Sequence, residues 1–290
     1  MAETTPPTSA MPDSLADLAI VKKIRALLKK LKRSGQKTSR KFMRLIGDFW
    51  VFAYIVIALV GTQIALFEKP IVGAYINAAA FVVLLLLALW RPAARQLAVS
   101  AAILPVVNMV SLTLPQTTVY NQTMVFYDAL LLIALIYRFV FTLDQPLEST
   151  RMSLKGYVVA LPIMVVIGEV LAVIGFGMLR HHYTFDHNSL PLVAASAVVF
   201  AFAEEAFFRG LIQQRAALVM KPVLAALLSV VLYTAVSFGH ITYLAPLFAL
   251  ISGIVLSFTY YKKQNLVLTA TINAAMKLGY IGLMAGFIFR

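Results

Sequence analysis

Glu204 and Glu205 stand side by side in the apolar stretch FAFAEEAFFRGLI, with Arg209 four residues after the second carboxylate. An ionisable group at the centre of a spanning helix costs at least about 2.5–3.5 kcal/mol, so such a cluster needs a reason. A helix turns about 100° per residue, which puts Glu205 and Arg209 on one face, where the guanidinium can neutralise the carboxylate. Glu204 points elsewhere and has no partner on its own helix. One carboxylate is thus held ionised while its neighbour is left to exchange a proton, a division that suits general base work on water. The same residues also suit a structural ion-pair network, or the proton or ion relay of a transporter.

The next apolar stretch supplies His240, in YTAVSFGHITY. A lone histidine in an apolar helix is more often a satisfied core residue than a catalyst, but beside an unpaired membrane glutamate it becomes a partner in activating water. In LTATINAAMKLGY, Thr269, Asn273 and Lys277 repeat every four residues. They form one polar stripe that must face protein or water rather than lipid. Asn273 can donate to a developing oxyanion or simply join two helices; Gly279, Gly282 and Gly286 suggest tight packing there. Glu169, alone in VVIGEVLAV, reads as a protonated or hydrogen-bonded packing residue. Asp128 and Arg138 lie toward opposite ends of one span, within reach of the interfaces. His181, His182, Asp186 and His187 could bind a metal in principle, but they lack a recognised ligand spacing and read as a solvated loop. With no HExxH and no cysteine, neither a zinc protease nor thiolate catalysis is supported, and no metal or cofactor is expected.

The elements that must position these residues are transmembrane helices. The chain is 61% hydrophobic and 13% charged, where a soluble domain is roughly a quarter charged, so its solvent must be lipid. Spanning takes roughly 20 apolar residues. That length predicts an all-α polytopic protein of about 8–9 transmembrane helices, with candidate spans 48–67, 71–90, 96–114, 123–142, 156–178, 192–214, 222–241, 243–261 and 266–288. At about 1.5 Å per residue, upright helices leave Glu204 mid-membrane, His240 near the outer end and Asn273 about two turns in. Bends at Gly239 or Pro222 are expected to bring them together.

Residues 1–13 are polar and proline-rich and read as disordered, and no secretory signal peptide is apparent. Residues 14–47 read as a basic amphipathic juxtamembrane segment, with Leu18, Val21, Ile24, Leu28 and Leu31 at helical spacing. It suits a lipid interface, or serves only as a charged leader enforcing topology. Eleven of the 25 Lys and Arg fall between Lys22 and Arg44, so the formal charge of +13 points to lipid headgroups and not to nucleic acid. Residues 48–290 form the membrane domain. With the N-terminus inside, Arg91, Arg95, Arg151, Lys155, Arg215, Lys221, Lys262 and Lys263 all fall on inside loops, against Lys69, Arg180 and Arg290 outside. That bias predicts a cytoplasmic N-terminus in the cell membrane.

Over about residues 190–280 the pattern resembles the CAAX prenyl endopeptidase and bacteriocin-processing membrane proteins, the CPBP or Abi family. The family's EExxxR is matched in full by Glu204, Glu205 and Arg209, even to the following Gly210. Its FxxxH is matched at His240, with Val236 where phenylalanine is expected and Phe238 two residues on. Its HxxxN is matched at Asn273, with Thr269 in the histidine position. The resemblance implies an intramembrane endopeptidase in which Glu204 activates water with help from His240. Glu205 and Arg209 are then structural, Asn273 binds the oxyanion, and no metal is needed. The substrate is a peptide or membrane protein, prenylated or not. Thr269 can donate a hydrogen bond but carries no positive charge, and losing an oxyanion donor costs about a hundredfold in rate. Either Lys277 compensates, or the chain is a weak or inactive relative serving in binding, regulation or bacteriocin immunity.

Overall fold

Residues 47, 49–63, 70–111, 133, 150, 152–180, 190–237 and 244–288 are described in a computed structural model. The expected leader and basic segment, the expected span 123–142 with Asp128 and Arg138, the cluster from His181 to His187, and Gly239 with His240 lie outside the described residues.

Every regular element among the described residues is helical. In chain order these are α1 (Phe49–Gln63), α2 (Pro70–Trp90), α3 (Arg95–Ala101), α4 (Ile103–Ser111), α5 (Leu154–Leu179), α6 (Leu190–Glu205), a π-helical segment (Ala206–Gln213), α7 (Gln214–Val219), α8 (Pro222–Val236), α9 (Leu244–Lys263) and α10 (Leu266–Ile288). Six stretches are long and apolar enough to cross a membrane, counting Pro92–Val110 and Leu190–Val219 each as one, while α1 and α8 are apolar but shorter. The described residues carry six candidate crossings; the eight or nine expected from sequence include stretches outside them.

The burial pattern is that of a lipid-solvated bundle. On α5, Met164, Gly168, Leu171, Ala172, Gly175 and Leu179 are buried at three- and four-residue intervals, as one helical face requires. The opposite face presents Val158, Val159, Ile163, Val166, Val170 and Val173 to the outside. Such an apolar outer face is stable only against hydrocarbon.

Three local features place the helices that carry the polar stripe. Where α5 and α10 cross, a Cβ added to Gly168 would lie 2.5 Å from the Ile272 carbonyl oxygen and 2.6 Å from the Ala275 Cβ, so only glycine permits this approach. At the turn from α9 to α10, Gln264 takes a left-handed φ of 46° and its N–H closes on the Tyr260 carbonyl at 2.7 Å. Asn265 then caps α10 by accepting from the Leu268 N–H at 3.3 Å, while its amide donates to Thr150 O at 3.1 Å and Tyr157 Oη at 2.8 Å. Third, Pro222 occupies the first position of α8, where a proline is preorganised for helix, and so it starts a helix instead of bending one.

The glycines of α10 behave differently from expectation. Gly279 packs tightly, since an added Cβ would collide with the Glu169 carboxylate and with Ala172. Gly282 and Gly286 have no described heavy atom within 4 Å of such a Cβ. The close packing falls instead on α5, at Gly168 and at Gly175, which abuts the Phe248 ring. Glu169 itself lies on the exposed side of α5 with its carboxylate over Gly279, so it is a packing residue at a helix seam and not a buried one.

Candidate active site

The helix that carries the two glutamates changes its winding immediately after them. The N–H of Gln214 donates to the Arg209 carbonyl five residues back, the signature of a π turn, which often marks a functional site. All seven residues from Phe207 to Gln213 are buried, because α3, α8, α9 and α10 pack around this segment. The Phe207 and Phe208 rings meet edge to face at 5.0 Å, and Ser229 of α8 donates to the Phe208 carbonyl at 3.0 Å. The widened turn is thereby fixed from outside as well as along its own axis.

Glu205 and Arg209 pair as their spacing predicts, Oε1 to Nη1 at 3.1 Å, with both side chains fully buried. The guanidinium also lies 4.7 Å over the Tyr233 ring and 5.9 Å from that of Phe208. Glu204 finds its cation on another helix: Lys277 Nζ of α10 is 3.0 Å from its Oε1. Asn273 joins the two carboxylates, its Nδ2 donating to Glu204 Oε2 at 2.8 Å and to Glu205 Oε1 at 3.2 Å. Two carboxylates and two cations therefore form one compact group without excess charge, the condition under which ionised side chains survive inside a membrane. Thr269 is buried one turn before Asn273. Its single hydroxyl proton can go to the Leu266 carbonyl at 3.0 Å or to Glu205.

Five of the seven residues singled out from sequence, Glu204, Glu205, Arg209, Asn273 and Lys277, meet here, and Thr269 borders them. His240 lies outside the described residues. Glu204 and Asn273 come together without the bend expected at Pro222; the meeting is achieved between α6 and α10 themselves. Sequence reasoning missed Tyr233, Gln213 and Ser257, which extend the polar core below the ion pairs. A hydroxyl-bearing aromatic in the apolar stretch VVLYTAV was the available sign of the first. Chemically, the group holds a carboxylate that is almost wholly buried, 3% exposed, next to an amide donor. Lys277, 23% exposed, is the one member of the two ion pairs that reaches the surface. An arriving ligand would meet the ammonium first and the Glu204 carboxylate behind it.

No curated protein and no solved structure gives a significant match to the chain. Residues 186–279, which contain this entire group, match the family described as Type II CAAX prenyl endopeptidase Rce1-like. Over that stretch, about a third of the chain, the sequence is similar to a family of membrane endopeptidase-type proteins.

Proposed function

We propose that the chain is an intramembrane endopeptidase in which Glu204 activates a water molecule to hydrolyse a peptide bond of a substrate reaching the site at or within the membrane. The observation that carries this reading is the shared amide: Asn273 Nδ2 lies 2.8 Å from Glu204, so a carbonyl attacked by water on Glu204 would develop its negative charge within reach of a fixed donor. Glu205 and Arg209 hold the amide and the helix turn in place. Lys277 supplies the positive charge that Thr269 lacks, and His240 assists the base. The substrate is a peptide or membrane-protein segment, prenylated or not, and the basic segment 14–47 meets lipid headgroups on the cytoplasmic side of the cell membrane.

A second reading rests on the same contact. Lys277 Nζ at 3.0 Å occupies one oxygen of Glu204 and Asn273 the other, leaving neither open to a water molecule, as in a family member retaining binding without turnover. Incubation of wild type, Glu204→Gln and Thr269→His with a panel of fluorogenic peptides, prenylated and unprenylated, separates the two. Cleavage by wild type that falls at least a hundredfold in Glu204→Gln is the expected result. Cleavage by Thr269→His alone would favour the second reading. Silence from all three would leave none of them an enzyme on this panel and count against the first.

A further inference from the structure

In and beside the ion pairs, buried polar atoms accumulate that make no hydrogen bond. Arg209 has Nε and Nη2 buried and outside any hydrogen bond, its Nη1 facing Glu205 Oε1; Glu205 Oε2, Asn273 Oδ1, Gln213 Oε1 and Ser257 Oγ also lack one. These residues are at least 97% buried. Buried polar groups are paired in the great majority of cases, so such a concentration around one helix turn is unusual. Donors and acceptors are both present among them. A small molecule that donates and accepts would satisfy both kinds, and water does so at sites with two or more polar partners.

The orphaned atoms follow a line. Arg209 and Gln213 succeed Glu205 along the π segment, and the Gln213 amide is braced by donating from Nε2 to the Ser257 carbonyl of α9 at 3.0 Å. From Gln213 the helix runs six more residues, 213 to 219, to the end of α7, about 9 Å at 1.5 Å per residue. That end of the bundle carries Arg215 and the exposed Lys221, Lys262 and Lys263. We propose that Arg209, Gln213 and Ser257 bind a file of water molecules that connects the glutamate pair to this basic end. The file is a different approach from the Lys277 side, so water and substrate reach Glu204 from separate directions. Its existence is independent of hydrolysis, whereas its role as the water supply rests on the endopeptidase reading.

The chain has no cysteine, so Ser257→Cys introduces a single thiol of nearly the same size. In proteoliposomes, Ag⁺ should block this thiol against later maleimide labelling at least tenfold faster than a thiol at Ile254→Cys, which lies on the outer face of the same helix. Equal rates would overturn the proposal. Adding Gln213→Leu to Ser257→Cys should slow the reaction at least fivefold, with Gln213→Asn preserving it and thermal melting reporting that each variant folds. A rate unchanged by Gln213→Leu in a folded protein removes Gln213 from the file and sinks the proposed route. Fast labelling in a chain that hydrolyses nothing would leave the file standing and reject the endopeptidase instead.

Discussion

Arg209 is held by two different attractions, a carboxylate at 3.1 Å and an aromatic face at 4.7 Å. Removing one partner of a buried ion pair costs about 3–5 kcal/mol, because the survivor is left charged in an apolar setting. We expect Arg209→Gln to lose about that much stability, while Arg209→Lys loses less, keeping the charge but not the flat stacking surface. Glu205→Gln combined with Arg209→Gln should recover much of the loss. Thermal unfolding in detergent checks this; equal losses in the single and double variants would mean that the pair is not what Arg209 contributes. The Glu205–Arg209 pair was readable from spacing alone, since both residues share one helix. The Glu204–Lys277 pair was not, because neither local periodicity nor composition says which face of α10 meets which face of α6. Thr269 stands beside Glu205, a contact that its spacing from Asn273 did not predict.

Helix placement is set by contacts far from the charges. Gly168 has no room for a side chain between α5 and α10, so Gly168→Val should push α10 outward and destabilise the fold by about 1–3 kcal/mol. The parallel change Gly282→Ala should be silent, and unfolding midpoints of the two variants decide the matter. Asn265 starts α10 two turns before Asn273 and ties it to α5 through Tyr157. Asn265→Ala should cost about 1–2 kcal/mol through the lost cap, and Gln264→Gly should gain up to about 1 kcal/mol by relieving the left-handed backbone. If Asn265→Ala leaves the melting temperature unchanged, the cap does not position α10. The apolar runs made most of these helices legible, with boundaries near those expected for 71–90, 156–178, 243–261 and 266–288. The π segment was not legible. Its extra backbone residue is stabilised by neighbours on every side, and a local pattern carries no record of them.

For the whole molecule, the asymmetry of Lys and Arg gives a testable orientation. Cysteines placed singly at Lys221 and Lys262 should be labelled from the cytoplasmic side by an impermeant maleimide, and one at Arg180 from the other; the reverse result would invert the topology. The described residues contain six stretches able to cross a membrane, and hydropathy located them. The cross-helix pair also governs how the protein is made. Synthesis reaches Glu204 and then needs 73 more residues, 204 to 277, before Lys277 exists. At roughly 5–20 residues per second, that leaves α6 in the insertion machinery for several seconds with a carboxylate that has neither its cation nor its amide. Until α10 emerges, that helix carries an insertion cost of about 2.5–3.5 kcal/mol for its unpaired acid. Chains that end prematurely before α10 carry an uncompensated acid in a spanning segment, a mark by which quality control can recognise them for degradation.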